Sequence, residues 1–210
     1  MLGYEEGRLV LRRAPRGFSL IELMIGLAII TILLVLGLPA FNIFLQNTQI
    51  RNAAETTLAG ITLARVEAVR RNTTVRFQLV SNLTSGCALS ASSLDWVVSQ
   101  ANPSGACDAA ASDTTAPQII QKKSAREGSS NVTIATTGGS TIVFDALGRV
   151  VGAGITVLDF ANTNGTCEHV DAVNGTMRCL RILVSVGGQV KMCDPKVPLN
   201  SPPVDPRECN

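Results

Sequence analysis

The chain has 210 residues, 46% of them hydrophobic and 16% charged, with a formal net charge of +2. That surplus sits in the first seventeen residues, where Arg8, Arg12, Arg13 and Arg16 outnumber Glu5 and Glu6, so the remainder is formally neutral. The balance gives no electrostatic case for nucleic-acid binding, and the length allows one apolar helix plus one domain of ordinary size.

The basic stretch closes at Gly17, and an apolar run extends from Phe18 to about Phe41. As helix it would reach roughly 36 Å, enough to cross a hydrocarbon core of ~30 Å. Positive flanks stay cytoplasmic, which predicts a C-terminal domain on the far side of the membrane. Glu22 stands five residues into the run. A charge at the centre of such a helix costs about 2.5–3.5 kcal/mol on insertion scales, so this carboxylate needs a positive partner and reads as functional. A secretory signal would show a shorter apolar core followed by a small-x-small cleavage site. Arg12-Arg13 does not continue as a twin-arginine signal, and neither alternative explains Glu22.

Gly17-Phe18-Ser19-Leu20-Ile21-Glu22-Leu23 resembles the processing site of type IV pilins and type II secretion pseudopilins. The resemblance implies that a prepilin peptidase cuts between Gly17 and Phe18 and that Phe18 is N-methylated. Glu22 then becomes the fifth residue of the mature chain and Pro39 the twenty-second, where such proteins commonly carry proline. Both are expected to serve assembly. The Glu22 carboxylate would pair with the Phe18 amine of its own or a neighbouring subunit as subunits leave the membrane. The implied partners are other minor pilins and a major pilin (or pseudopilins), the peptidase, an inner-membrane assembly platform and inner-membrane lipid. The implied location is the bacterial inner membrane, single-pass, with a periplasmic domain, followed by incorporation into a pilus or pseudopilus.

Beyond Pro39, Ile43, Ile50, Ala54, Leu58, Ile61 and Ala68 recur at helical spacing on one face, with Arg51, Glu55, Arg65 and Arg70 largely off it. One helix is therefore expected from about Phe18 to Arg71. It should kink or melt locally near Gly37-Leu38-Pro39, where proline removes a backbone hydrogen bond, and end at Asn72-Thr73-Thr74.

From Thr74 the pattern changes to short β-branched runs, expected as strands at 75–80, 96–99, 118–121, 132–135, 141–144, 155–160, 178–184 and 188–192. Gly138-Gly139 and Gly187-Gly188 read as hairpin turns. Residues 81–116 form a long, small-residue-rich connection with one strand inside it. All six cysteines, Cys87, Cys107, Cys167, Cys179, Cys193 and Cys209, follow the helix. An even count in an exported domain reads as disulfides, and six cysteines allow fifteen pairings. The sequential scheme is preferred, because each pair would close a polar loop with little core of its own. No Cys-x-x-Cys spacing supports a metal site.

Thr141 to Val150 reads as a hairpin, and its Phe144-to-Arg149 portion resembles the Phe-x-x-x-Gly-Arg hairpin of the GspH/FimT/FimU branch of pilin-like proteins. The closing segments 190–195 and 205–209 look closest to FimU-type minor pilins. Catalytic chemistry is not expected: His169 is the only histidine, and Asp145, Asp159 and Asp171 are scattered. No cofactor or metal is expected either. Lys122-Lys123 with Arg126 is the strongest basic patch and reads as a solvated loop, so DNA is not an expected partner.

The expected fold is α+β: a long N-terminal transmembrane and amphipathic helix packed on a C-terminal antiparallel β-sheet domain, pilin-like. Its parts are a leader (1–17), a transmembrane or filament-core helix (18–41), an amphipathic helix (42–72) and a periplasmic β-rich domain (73–210). The resemblance implies a minor pilin that helps initiate a type IV pilus at or near its tip. The alternative is a GspH-type minor pseudopilin of type II secretion, and the third reading is a DNA-binding minor pilin.

Overall fold

The computed structural model describes residues 17–124, 128–168, 175–200 and 202–210. The expected leader up to Arg16 lies outside the described residues, as do Arg126, His169 and Asp171, whereas the expected processing segment Gly17 to Leu23 lies within them. By contacts the chain divides into two compact units, Met1–Phe41 and Asn42–Asn210.

Helix α1 runs from Leu20 to Arg71, starting two residues later than the sequence pattern suggests because Ser19 caps it. Among the described residues no single helix is long and apolar enough to cross a membrane; the bent pair Leu20–Val35 and Ala40–Arg71 meets the test by length and composition. The break brackets Gly37-Leu38-Pro39, where the missing proline N–H weakens the ladder. In the first unit the described apolar side chains of the helix, Leu20 to Val35 and then Leu38 and Phe41, are exposed. In the second, Ile50, Ala53, Ala54, Ile61, Ala64 and Ala68 are buried on one face. Small residues dominate that face, and they let the helix approach the sheet closely. A β-carbon at Gly60 would lie 3.0 Å from both Phe77 and Trp96, whose rings pack at 5.7 Å. The helix ends where Asn72 takes φ 50° and Thr73 N–H donates to the Ala68 carbonyl at 3.2 Å. Asparagine tolerates this left-handed turn, and Arg70 and Arg71 complement the negative end of the helix dipole.

Among the described residues eight strands follow: β1 (Val75–Val80), β2 (Asp95–Ser99), β3 (Ile119–Lys123), β4 (Val132–Thr137), β5 (Thr141–Phe144), β6 (Val157–Asn162), β7 (Leu180–Val184) and β8 (Val190–Cys193). They form two four-stranded antiparallel sheets, ordered β3-β2-β1-β5 and β4-β6-β7-β8. One hydrophobic core joins the buried helix face to both sheets, through Phe77, Trp96 and Phe144 of the first and Leu158, Phe160 and Ile182 of the second.

The topology corrects two expectations. Gly138-Gly139 is no hairpin turn, because β4 pairs with β6 and β5 with β1. It is the corner where the chain changes sheets; both glycines take positive φ, and a β-carbon at Gly138 would collide with the Gly154 carbonyl. The returning arm of the 141–150 hairpin shortens to a single bridge, Phe144 to Val150. Gly187-Gly188 does join paired strands, β7 and β8.

The long connection after β1 has a structural duty. β1 and β2 are buried on both faces, since the helix covers one and this connection the other. Val80, Val97 and Ile119 make a second small core there with Cys87 and Cys107.

Candidate functional site

Gly17 and Phe18 lie in non-helical backbone immediately before α1. Gly17 stands in open space, and Phe18 is 80% exposed. The Glu22 N–H donates to Ser19 Oγ at 3.3 Å, and the Leu23 N–H to the Ser19 carbonyl at 3.2 Å. Ser19 is therefore the N-cap and Glu22 the third helical residue, the Ser-x-x-Glu spacing of a capping box. A carboxylate in the first turn also faces the positive end of the helix dipole. This favours Glu22 where it stands, independently of any second subunit. The Ser19-to-Glu22 spacing is visible in the sequence, where the charge of Glu22 points only to a positive partner and not to this cap. The side chain of Pro39 lies outside the described residues.

Three disulfides tie the second unit: Cys87–Cys107, Cys167–Cys179 and Cys193–Cys209, with Cα separations of 6.1, 5.4 and 5.2 Å. The first sits in the small core behind β1 and β2. The third closes the C-terminal segment onto β8, where the Asp194 N–H also donates to the Arg207 carbonyl at 2.8 Å. Asp194 is buried and accepts from Arg178 at 2.8 Å. Arg207 forks onto Asp205, whose carboxyl is held down to about 2 by those side-chain hydrogen bonds and by the Arg207 N–H.

Lys122 and Lys123, read in the sequence as part of a solvated loop, lie instead on β3, and the Lys122 ammonium is engaged. Lys122 Nζ donates to the carbonyls of Cys107, Asp108 and Ala109 at 3.0, 2.7 and 3.0 Å. The ammonium is spent on pinning the disulfide loop, a duty no sequence pattern announces. Asp159, a scattered acid in the sequence, pairs with Arg181 at 2.6 Å. Asp145 accepts from the N–H groups of Arg149 and Leu147 at 2.8 and 2.9 Å, which organises the turn after β5 and lowers its pKa. Among the described residues no cluster of histidine, cysteine or carboxylate side chains has the geometry to hold a metal.

An exposed apolar helix with a capped carboxylate in its first turn, continuing into a disulfide-tied two-sheet domain, is the build of a pilin-type filament subunit. Residues 12–38 match the prokaryotic N-terminal methylation motif, and residues 53–188 match the family described as Type II transport protein GspH. The chain belongs to the GspH family. Two crystal structures of the type IV minor pilin FimU of Pseudomonas aeruginosa strain PAO1 are similar to it. One is 14% identical with a TM-score of 0.45, covering 71% of this chain and 91% of FimU. The other is 17% identical with a TM-score of 0.37, covering 68% and 90%. No curated protein sequence matches. Proteins of this family are structural subunits that assemble with other pilins, so the chain is a subunit and not an enzyme. Its methylation motif marks a membrane-anchored N-terminal helix that is later incorporated into a filament.

Proposed function

We propose that this chain is a minor pilin of a type IV pilus, acting at or near the filament tip and helping initiate assembly. The observation that carries the reading is one chain that joins a methylation motif at 12–38 to a GspH-type domain at 53–188. The leader would be cut between Gly17 and Phe18, and the Phe18 amine methylated. Glu22, already seated in the first turn, would hold that amine or a neighbour's, and the bend at Pro39 would adapt the helix to its neighbours in the filament. The disulfide-tied domain would stand in the periplasm until extraction from the inner membrane by the assembly platform. Within the branch, the pilus is favoured by the FimU-like closing segments 190–195 and 205–209, which Cys193–Cys209 holds together. The description of the matching family favours a second reading, a minor pseudopilin of type II secretion. A DNA-binding role draws no support from Lys122, whose ammonium is already engaged.

Deleting the gene and scoring surface pili and secreted exoproteins in parallel separates the two main readings. Loss of pili with normal secretion is the expected result; the converse makes the chain a pseudopilin. Mass spectrometry of the mature N-terminus should give methylated Phe18, and any other first residue overturns the processing assignment.

A further inference from the structure

Where α1 enters the second unit, it changes from apolar surface to polar within one turn. Phe44 and Leu45 are 63% and 42% exposed, and Asn47 and Arg51 follow on the same helix. At 1.5 Å of rise per residue, Asn47 lies about 3 Å and Arg51 about 9 Å beyond Leu45. Over this span a pocket of about 390 Å³ opens between α1, β7, β8 and the C-terminal segment. Leu180 and Met192 give it an apolar wall, and Arg51, Arg178 and Arg207 reach it from three separate segments. The frame is hydrogen-bonded: the Arg178 N–H donates to Asn47 Oδ1 at 2.8 Å, and the Asp194 N–H to the Arg207 carbonyl at 2.8 Å.

Each of the three guanidiniums has a carboxylate partner, and the pairing fixes it without exhausting it. Arg51 gives Nε to Glu55 at 2.7 Å, and Arg178 gives Nη2 to Asp194 at 2.8 Å. Arg207 gives Nε and Nη2 to Asp205 at 3.0 and 2.7 Å. A guanidinium carries five N–H donors on three nitrogens. Both terminal nitrogens of Arg51, Nε and Nη1 of Arg178 and Nη1 of Arg207 therefore have no acceptor among the described residues. Asp194 is the one acid in the described pocket wall, because Glu55 and Asp205 stand outside it. All three arginine side chains are half or more exposed, so a ligand can reach them.

Fixed arginine forks around an apolar wall suit an oxyanion that carries hydrocarbon with it. Arginine matches phosphate oxygens through paired N–H donors, and Leu180 and Met192 suit a glycerol backbone and the first acyl carbons. A free anion would leave that wall in water. An acidic peptide would use the arginines but gives no account of exposed Phe44 and Leu45 one turn away, which an apolar bilayer edge covers. We infer that this pocket takes the phosphate of an anionic phospholipid while the chain is anchored in the membrane. The inference rests on the membrane-anchored stage of the filament-subunit reading above and adds a lipid site to it.

The test uses the full-length chain in a neutral detergent, titrated with phosphatidylglycerol or phosphatidylcholine under native mass spectrometry. One phosphatidylglycerol should bind saturably, about tenfold more tightly than phosphatidylcholine. Arg51→Gln with Arg207→Gln should weaken it about thirtyfold. Arg149→Gln, which removes a comparably exposed arginine outside the pocket, should leave it unchanged. Met192→Trp fills the pocket without altering its charge and should also abolish binding, with formed disulfides and an unchanged thermal midpoint showing that each variant folds. Equal affinity for the two lipids, an equal loss from Arg149→Gln, or binding retained by folded Met192→Trp overturns the proposal. Displacement by inorganic phosphate or by a short DNA duplex at equal phosphate concentration overturns the lipid as ligand. Fractionation of host cells separates this inference from the reading beneath it. A chain found in the inner membrane that does not select phosphatidylglycerol keeps the anchored reading and loses the site; a chain absent from that membrane loses both.

Discussion

Glu67, near the end of α1, accepts from Arg70 at 2.7 and 3.0 Å and from Arg71 at 2.7 Å. The Arg70 hydrogen bond holds its carboxyl below the ordinary range; burial works against this and Arg71 adds to it. The folded pKa therefore lies below the unfolded value of about 4.3, so the stabilisation is complete above that pH and is lost as pH falls through the folded value. Glu67→Gln should cost about 1–2 kcal/mol at neutral pH and flatten the acid side of the stability curve. Urea unfolding in detergent, followed by the fluorescence of Trp96, the single tryptophan, reads both effects. Lys122→Met should free three loop carbonyls and speed amide exchange through residues 105–112, at a cost of about 1–3 kcal/mol. Neither role could be read from the sequence. Glu67 is one of several charges on a helix, and Lys122 meets its acceptors only because β3 brings it beneath the Cys87–Cys107 loop.

At the scale of elements, α1 and all eight strands lie where periodicity and β-branched runs put them, to within about two residues at most ends. Those signals are local, arising from the match between side-chain spacing and backbone period. Pairing is not local. The Gly138-Gly139 corner looks like a hairpin turn in sequence because positive φ suits both, while the partner of each flanking strand is chosen by the core. Gly138→Ala should therefore cost about 2–4 kcal/mol, adding left-handed strain to the collision with the Gly154 carbonyl. An equal cost from Gly139→Ala, where a β-carbon meets nothing, would show that strain alone is at work.

For the whole molecule, the two units differ in what stabilises them. The second has a core, two sheets and three disulfides; the first exposes its apolar face and finds burial only in a bilayer or a filament. Among its described residues the C-terminal segment after β8 buries no apolar side chain fully, only Asp194 and Glu208, and it depends on its staple. Cys193→Ser with Cys209→Ser should cost about 3 kcal/mol in the chain-entropy view and admit a protease within 195–206. An unchanged digestion pattern would mean that Arg178, Asp194 and the Arg207 carbonyl hold the segment without the bridge.

The sequence by itself determined the class of protein. A basic stretch ending in glycine, an apolar run with one early carboxylate and a cysteine-bearing β domain are linear features, and each follows from the order of residues along the chain. Even the Ser19–Glu22 cap is local, three residues apart and legible as a spacing. Only the tertiary structure decided which strands share a sheet and that Lys122 is engaged by loop carbonyls. Paired strands such as β1 and β5 are far apart in sequence, and they meet because burying the core around Phe77, Trp96 and Phe160 folds both sheets onto a single helix.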